Sequence, residues 1–343
     1  MGTRTLGVAV VGAGMMGHHH AQAWASAAGT RVVAVADSDR ERAQALATHL
    51  GLPAWFTDYR QAVDSAEVDI VSVCVPAYYH PEISIFAAEH GKHVLCEKPI
   101  ALTIERARAM IEAAKRNDVR LGIGFQLRHL QSTRQLLELL HEGSIGRPVM
   151  WLYSFAAPIR PKLAMHDMLT GNGGPVVDFC PHRFDLWSLA FASEATLVQA
   201  QGLTLAQGRP ELAGIKQVAP DTAAISVRFA SGDIGALSIT WGLPPGVSGG
   251  SLAEIWGSKG LIQADLDSLR LITEGGRETA FGPYGQDAMT DGLRLQAQSF
   301  IQAVLTGTEP VATGEHGLAA LRISLAALQA MQTGTGVDPK ALS

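Results

Sequence analysis

The chain has 343 residues, long for a single core and sufficient for two domains. Hydrophobic residues make up 47% and charged residues 17%, which excludes a disordered chain. The formal net charge of −5 carries no basic stripe and so gives no footprint for nucleic acid. No uninterrupted apolar stretch approaches the roughly 18 residues that a membrane span needs. The run Leu6–Val11 is too short for a signal-peptide core and leads into a glycine loop. Cys74, Cys96 and Cys180 each sit in an apolar run, as buried free thiols do. The expectation is a cytoplasmic protein.

The first third alternates strand-like and helix-like runs. Strands are predicted at 6–11, 31–37, 68–75, 93–96 and 120–125, with helices at 18–28, 39–50, 82–90 and 103–117. The near-continuous apolar run at 68–75 suits a strand buried on both faces. This is the pattern of a doubly wound parallel sheet, a Rossmann domain over 1–125. From 126 to 343 the texture changes: a polar helix at 132–141, an aromatic strand at 149–155, then strands at 223–229, 234–241, 253–256 and 269–272. Helices at 293–305 and 318–331 close the chain. Strands followed by helices predict an α+β domain on an open, mostly antiparallel sheet, serving substrate binding and oligomerisation.

Residues 12–17 read Gly12-Ala13-Gly14-Met15-Met16-Gly17, the pattern G-x-G-x-x-G. A glycine-rich turn between strand and helix can be purely structural. Here it follows a strand, opens a helix, and is followed at the end of the next strand by Asp37, at the separation expected for a ribose-binding acid. Gly12 permits a tight turn, Gly14 lets the backbone approach a pyrophosphate, and Gly17 allows close helix–strand packing. The first amides of the helix, at Met15 and Met16, then face the phosphates. The carboxylate of Asp37 accepts from the ribose hydroxyls of NAD and repels a 2′-phosphate. Ser38 and Arg40 lie beside it and leave NADP as the less favoured cofactor. His18, His19 and His20 lie on the first turns of the helix, point in different directions and face no second ligand cluster, so they are read as helix surface and packing. No metal site is predicted.

Two later motifs narrow the class. One is Cys96-Glu97-Lys98-Pro99-Ile100 after a strand; the other is Gly173-Gly174-Pro175-Val176-Val177-Asp178-Phe179-Cys180-Pro181-His182. With the glycine loop, the segment Val75-Pro76-Ala77-Tyr78-Tyr79-His80 and the Glu315-His316-Gly317-Leu318 helix start, they resemble the glucose–fructose oxidoreductase and inositol dehydrogenase (Gfo/Idh/MocA) family. The resemblance spans essentially the whole chain. It implies NAD(P)-dependent redox at a sugar or cyclitol carbon, a sheet that often forms a homodimer or homotetramer interface, and a cis peptide before Pro99. Residue by residue, it places Lys98, Asp178 and His182 in the catalytic set. It also places Pro76, His80, Glu97, Lys98 and Gln126 beside the cofactor; Arg128, Tyr153 and His166 are substrate-pocket candidates with a structural role as the equal alternative for each. The chain departs from many relatives at 165–172, which lacks their Trp-Arg, and at Gln126-Leu127-Arg128.

The residues suit that chemistry. Oxidising a secondary alcohol requires hydride departure and removal of the hydroxyl proton, and histidine is the natural base near neutral pH. Asp178 and His182 stand four apart, so on a helix they share a face and the carboxylate can orient the ring. The alternative is an ordinary aspartate at a helix start. Lys98 follows a strand at the carboxyl edge of the sheet, where its ammonium can stabilise a developing alkoxide; a solvated surface lysine is the alternative. Glu97 can hold the nicotinamide ribose or orient Lys98. The leading expectation is a dehydrogenase with a small sugar or polyol substrate. Behind it stand a redox-neutral enzyme that oxidises a ring hydroxyl transiently to drive elimination, epimerisation or glycosidic cleavage, and a non-catalytic sugar-sensing protein.

Overall fold

The computed structural model describes residues Arg4–Leu342. They divide into two compact units. One comprises the chain to His129 together with Asp287–Leu318; the other comprises Leu130–Gln286 with the remainder from Ala319. The units are therefore not two continuous halves meeting near residue 125.

The first unit is built on six parallel strands: β1 (Leu6–Val11), β2 (Thr30–Ala36), β3 (Trp55–Phe56), β4 (Ile70–Val73), β5 (His93–Cys96) and β6 (Leu121–Ile123). Their order is β3-β2-β1-β4-β5-β6, with every pairing parallel. This is the doubly wound Rossmann order, with its switch between β1 and β4. All six residues of β1 and all four of β4 are buried, which explains their near-continuous apolar runs, interrupted only by Gly7 and Ser72. Helices α1 (Met15–Ser26), α2 (Arg40–His49), α3 (Tyr59–Val63), α4 (His80–Glu89) and α5 (Ile104–Arg116) connect the strands. Asp39, Asp58 and Thr103 cap α2, α3 and α5 by accepting backbone amides. Helix α1 begins three residues earlier than its apolar pattern suggested, because Gly14 ends the extended loop and methionine is a good helix former. The two-residue β3 and five-residue α3 are too short to leave a periodic signal.

The second unit begins with α6 (Gln131–His141) and holds the strands β7 (Met150–Pro158), β8 (Ala195–Leu203), β9 (Thr222–Phe229), β10 (Ile234–Leu243), β11 (Gly250–Gly257), β12 (Gly260–Ala264), β13 (Leu269–Thr273) and β14 (Arg277–Phe281). Their order is β14-β13-β12-β11-β7-β10-β9-β8, antiparallel except where β10 runs parallel to β7. Alternation is clean on β9, where Ala223, Ile225, Val227 and Phe229 are buried and the residues between them are not. The open sheet and Rossmann expectations both hold. Short helices α7 (Gly174–Asp178) and α8 (Pro181–Phe191) lie on the buried face, where the Trp187 ring occupies the space a side chain at Gly235 would need. Helix α9 (Asp291–Thr306) belongs to the first unit, and α10 (Gly314–Thr333) runs from the first into the second.

The three cysteines are free and buried. No described helix is long and apolar enough to cross a membrane.

Candidate functional site

In the first unit the glycine loop leaves β1 at Gly12, whose φ of +100° suits only glycine, and whose missing Cβ would sit 2.6 Å from the carbonyl oxygen of Cys74. A Cβ on Gly17 would lie 1.8 Å from the carbonyl oxygen of Gly12, so α1 can approach the loop only with glycine there. Gly14 caps α1 without a side-chain hydrogen bond. The first amides of α1, from Met15 onward, thus have no partner inside the helix and form a natural anion seat. Met15 is exposed and Met16 half-buried.

Asp37 follows β2. Its Oδ2 accepts the Ala13 amide at 2.7 Å and its Oδ1 accepts the Asp39 amide at 2.8 Å, while Ser38 lies exposed beside it. The acid is held in place by backbone and keeps lone pairs for ribose hydroxyls. Arg40 stacks its guanidinium 5.3 Å from the Trp55 ring centre.

On the other side of the switch, β5 delivers Glu97, Lys98 and Pro99, and the Lys98–Pro99 peptide is cis. The Glu97 amide donates to the Val73 carbonyl at 2.9 Å. Glu97 is 4% exposed, and its carboxylate packs so closely on Gly124 that a Cβ there would stand 2.7 Å from Oε1. Lys98 is half-buried. His80 is spent on the fold: its Nδ1 lies 2.7 Å from the Pro99 carbonyl and its Nε2 2.9 Å from that of Val75. Burial depresses its pKa against the pull of these two carbonyls, and the ring braces the Val75-Pro76 turn against the Lys98-Pro99 turn.

Gln126 and Arg128 sit on a short 3₁₀ turn (Gln126–His129), both 6% exposed. The buried Oε1 of Gln126 has no donor among the described residues, which fits a cofactor amide as its partner. Arg128 donates to the Val311 carbonyl at 2.6 Å.

In the second unit Gly173, at φ +76°, turns the chain into α7. Asp178 ends that helix, and His182 stands in the first turn of α8. The single helix expected across Asp178 and His182 is in fact two, because Pro181 has no amide to continue the first. Phe179 and Cys180 keep right-handed helical dihedrals, so the winding continues through the break. Asp178 is 3% exposed.

An aromatic group surrounds this junction. The Phe179 ring stacks on Phe155 at 4.7 Å and meets Trp241 edge-on at 6.2 Å. Tyr153 stacks 6.3 Å from Phe179 and is capped by the Arg183 guanidinium at 3.9 Å, which makes it a core ring in this unit. His166, 1% exposed, packs edge-on against Trp241 at 6.1 Å. Its Nε2 lies 3.1 Å from both the amide and the carbonyl of Arg160, and burial keeps the ring neutral. Arg160 extends over the Trp241 ring at 5.4 Å.

Lys98, Glu97, Gln126 and Arg128 thus belong to the first unit with the glycine loop, and Asp178, His182, His166 and Tyr153 to the second. Sequence reading missed Arg160 and Trp241, which carry no motif, and gave Phe179 no role although it stands inside the motif at 173–182. It also missed His20, which is buried and not on the helix surface. Its signal was present: Gly17, His20, Ala21 and Trp24 fall on one helical stripe, and all are buried. Among the described residues no group of three or more His, Cys, Asp or Glu is placed to hold a metal ion.

Comparison with known proteins bears on the family and the fold. Residues 6–125 match the model of an oxidoreductase family with an NAD-binding Rossmann fold, and residues 133–263 match the GFO/IDH/MocA C-terminal domain. Myo-inositol 2-dehydrogenase of Thermotoga maritima is 29% identical over 95% of this chain and 96% of its own length. The scyllo-inositol 2-dehydrogenase (NAD(+)) of Bacillus subtilis is 26% identical over 96% and 95%. In fold, the chain superposes on levoglucosan dehydrogenase in complex with NADH and levoglucosan with a TM-score of 0.87, at 24% identity, covering 97% of this chain and 99% of that one.

Proposed function

Because the chain belongs to the Gfo/Idh/MocA oxidoreductase family and its Rossmann unit binds NAD, we propose that it is a dehydrogenase that oxidises a secondary hydroxyl of a sugar, glycoside or cyclitol. The observation that carries this reading is the pairing, within one unit, of a glycine-built dinucleotide seat with Lys98 at the carboxyl end of β5, one strand beyond β4 on the far side of the switch. Inositol and levoglucosan dehydrogenases among the relatives support the substrate class. Bound NAD supplies the hydride acceptor.

The chain's own residues supply the rest. Asp37 holds the adenosine ribose and disfavours a 2′-phosphate, so NAD is preferred to NADP. Met15, Met16 and the loop backbone at Ala13 and Gly14 seat the pyrophosphate. Gln126 presents a buried acceptor to the nicotinamide end. Lys98 donates to the reacting oxygen and stabilises charge as the O–H proton leaves. His182 takes that proton, and Asp178 fixes the imidazole and its cationic form. Phe179, half-buried over Phe155 and Trp241, offers an apolar surface suited to one face of a polyol ring. The test is NADH formation by the purified protein across cyclitols, aldopyranoses and glycosides; turnover of one group supports the reading and silence on all of them refutes it.

A second copy of the chain is the partner we propose for the open face of the sheet, where Leu252 is 56% and Trp256 44% exposed among Ser154, Ser226, Ser238 and Glu254. Light scattering that returned a monomer mass would refute it.

A further inference from the structure

One of three consecutive histidines on α1 turns inward. His20 is 1% exposed, its Nε2 lies 2.8 Å from Oε1 of Glu97, and its Nδ1 lies 2.9 Å from Oγ of Ser72 on β4. Ser72 Oγ is in turn 3.8 Å from the Cys74 sulfur. The chain Glu97–His20–Ser72–Cys74 is buried throughout, beneath the turn that presents Lys98.

A buried carboxylate needs a counter-charge. The charged groups around Glu97 are His20 from α1, Lys98 next in the chain and His80 from α4, with the Cys74 and Cys96 thiols after β4 and on β5. His80 turns both ring nitrogens to backbone carbonyls, whereas His20 is hydrogen-bonded to the carboxylate itself. A neutral His20 would also satisfy its hydrogen bonds, with Nε2–H donating to Glu97 and the Ser72 hydroxyl donating to Nδ1. It would leave the Glu97 charge without that support. Burial alone lowers the His20 pKa, but Cys74 and Glu97 override it and hold the ring protonated, to about 10. Glu97 is correspondingly pushed down against its own burial.

We propose that His20 is a positioning residue for the reaction: through its ion pair it keeps Glu97 ionised and in one rotamer, and so fixes both the turn that carries Lys98 and the negative charge beside that ammonium. The proposal rests on Lys98 acting at the reacting oxygen. His20, 1% exposed, acts through Glu97 and not on the reacting atoms. Without the imidazolium, buried Glu97 takes up a proton nearer neutral pH, and Lys98 loses both its anchor and its neighbouring charge.

The test compares His20→Gln and Glu97→Gln in the full chain, following kcat, KM and NAD affinity against pH. His20→Gln is expected to lower kcat at neutral pH by about tenfold, the scale on which orienting partners act in other sites. KM and NAD affinity should move much less. The loss should recover as pH rises, because an added acid limb reports Glu97 titrating; Glu97→Gln should lose activity without that recovery. A His20→Gln profile parallel to wild type, at any level, overturns the proposal. A second measurement needs neither a variant nor turnover: ¹⁵N spectra of histidine-labelled wild type should show both His20 nitrogens protonated at about pH 8, well above the ordinary histidine range. A bare ring nitrogen there overturns the proposal. If wild type turns over no substrate, the dehydrogenase reading is what fails, and the ¹⁵N spectra alone decide the His20–Glu97 pair.

Discussion

The backbone amide of Ala13 donates to Oδ2 of Asp37 across 2.7 Å, tying the phosphate loop to the acid at the end of β2. One carboxylate therefore shapes the loop and offers its remaining lone pairs to ribose. Asp37→Ala should weaken NAD by roughly 1.5–3 kcal/mol, or about 10- to 100-fold in Kd. It should weaken NADP less, since the repulsive charge goes with it. Titration of NADH fluorescence measures both, and unchanged selectivity would contradict the role.

Lys98→Ala should reduce kcat by about 10²–10³, the cost of removing a donor to a developing oxyanion. NAD affinity should stay nearly intact, because the glycine loop and Asp37, which seat the dinucleotide, are left untouched. Pre-formed Kd with lost turnover separates chemistry from binding; normal turnover would remove Lys98 from the reaction.

His182→Ala should abolish the neutral-pH limb of the kcat/KM profile, which reports the free enzyme's base. Asp178→Asn should leave the limb but displace it, because a neutral amide supports the imidazolium less. A profile unchanged in His182→Ala would assign the base to another group.

Stability should fall on both sides of neutral pH. His316, whose Nδ1 accepts the Thr313 amide, is depressed to about 4 by burial and then by the Arg128 charge. Its contribution is present above the ordinary histidine value of 6.5 and is lost as pH falls toward 4. His20 runs the other way: raised to about 10, it contributes fully below 6.5 and is lost as pH rises through 10. Thermal midpoints measured against pH should therefore converge for wild type and His20→Gln at the alkaline end, and for wild type and His316→Gln at the acid end. Differences independent of pH would contradict these protonation states.

The Rossmann unit was legible because its signals are local. Buried parallel strands leave near-continuous apolar runs, and Gly12, Gly17 and Asp37 each answer a steric or charge requirement at fixed spacing. Lys98, Asp178 and His182 were found through motifs. Trp241 and Arg160 were not, because an aromatic on a strand or an arginine in a loop looks the same whether it packs or binds. The two short helices at Asp178 and His182 read as one because Pro181 interrupts the hydrogen bonding without interrupting the winding. His20 was hidden among its neighbours: three histidines in a row suggested a surface, whereas the helical stripe through Gly17 and Trp24 turns only the third inward.

Isotope tracing follows the hydride itself from substrate to cofactor. With a substrate deuterated at its carbinol carbon and NAD added in excess, a dehydrogenase should accumulate deuterium-labelled NADH in step with ketone product. Cofactor that copurifies with the protein, no accumulated NADH and deuterium retained in the product would contradict net oxidation and identify a redox-neutral reaction.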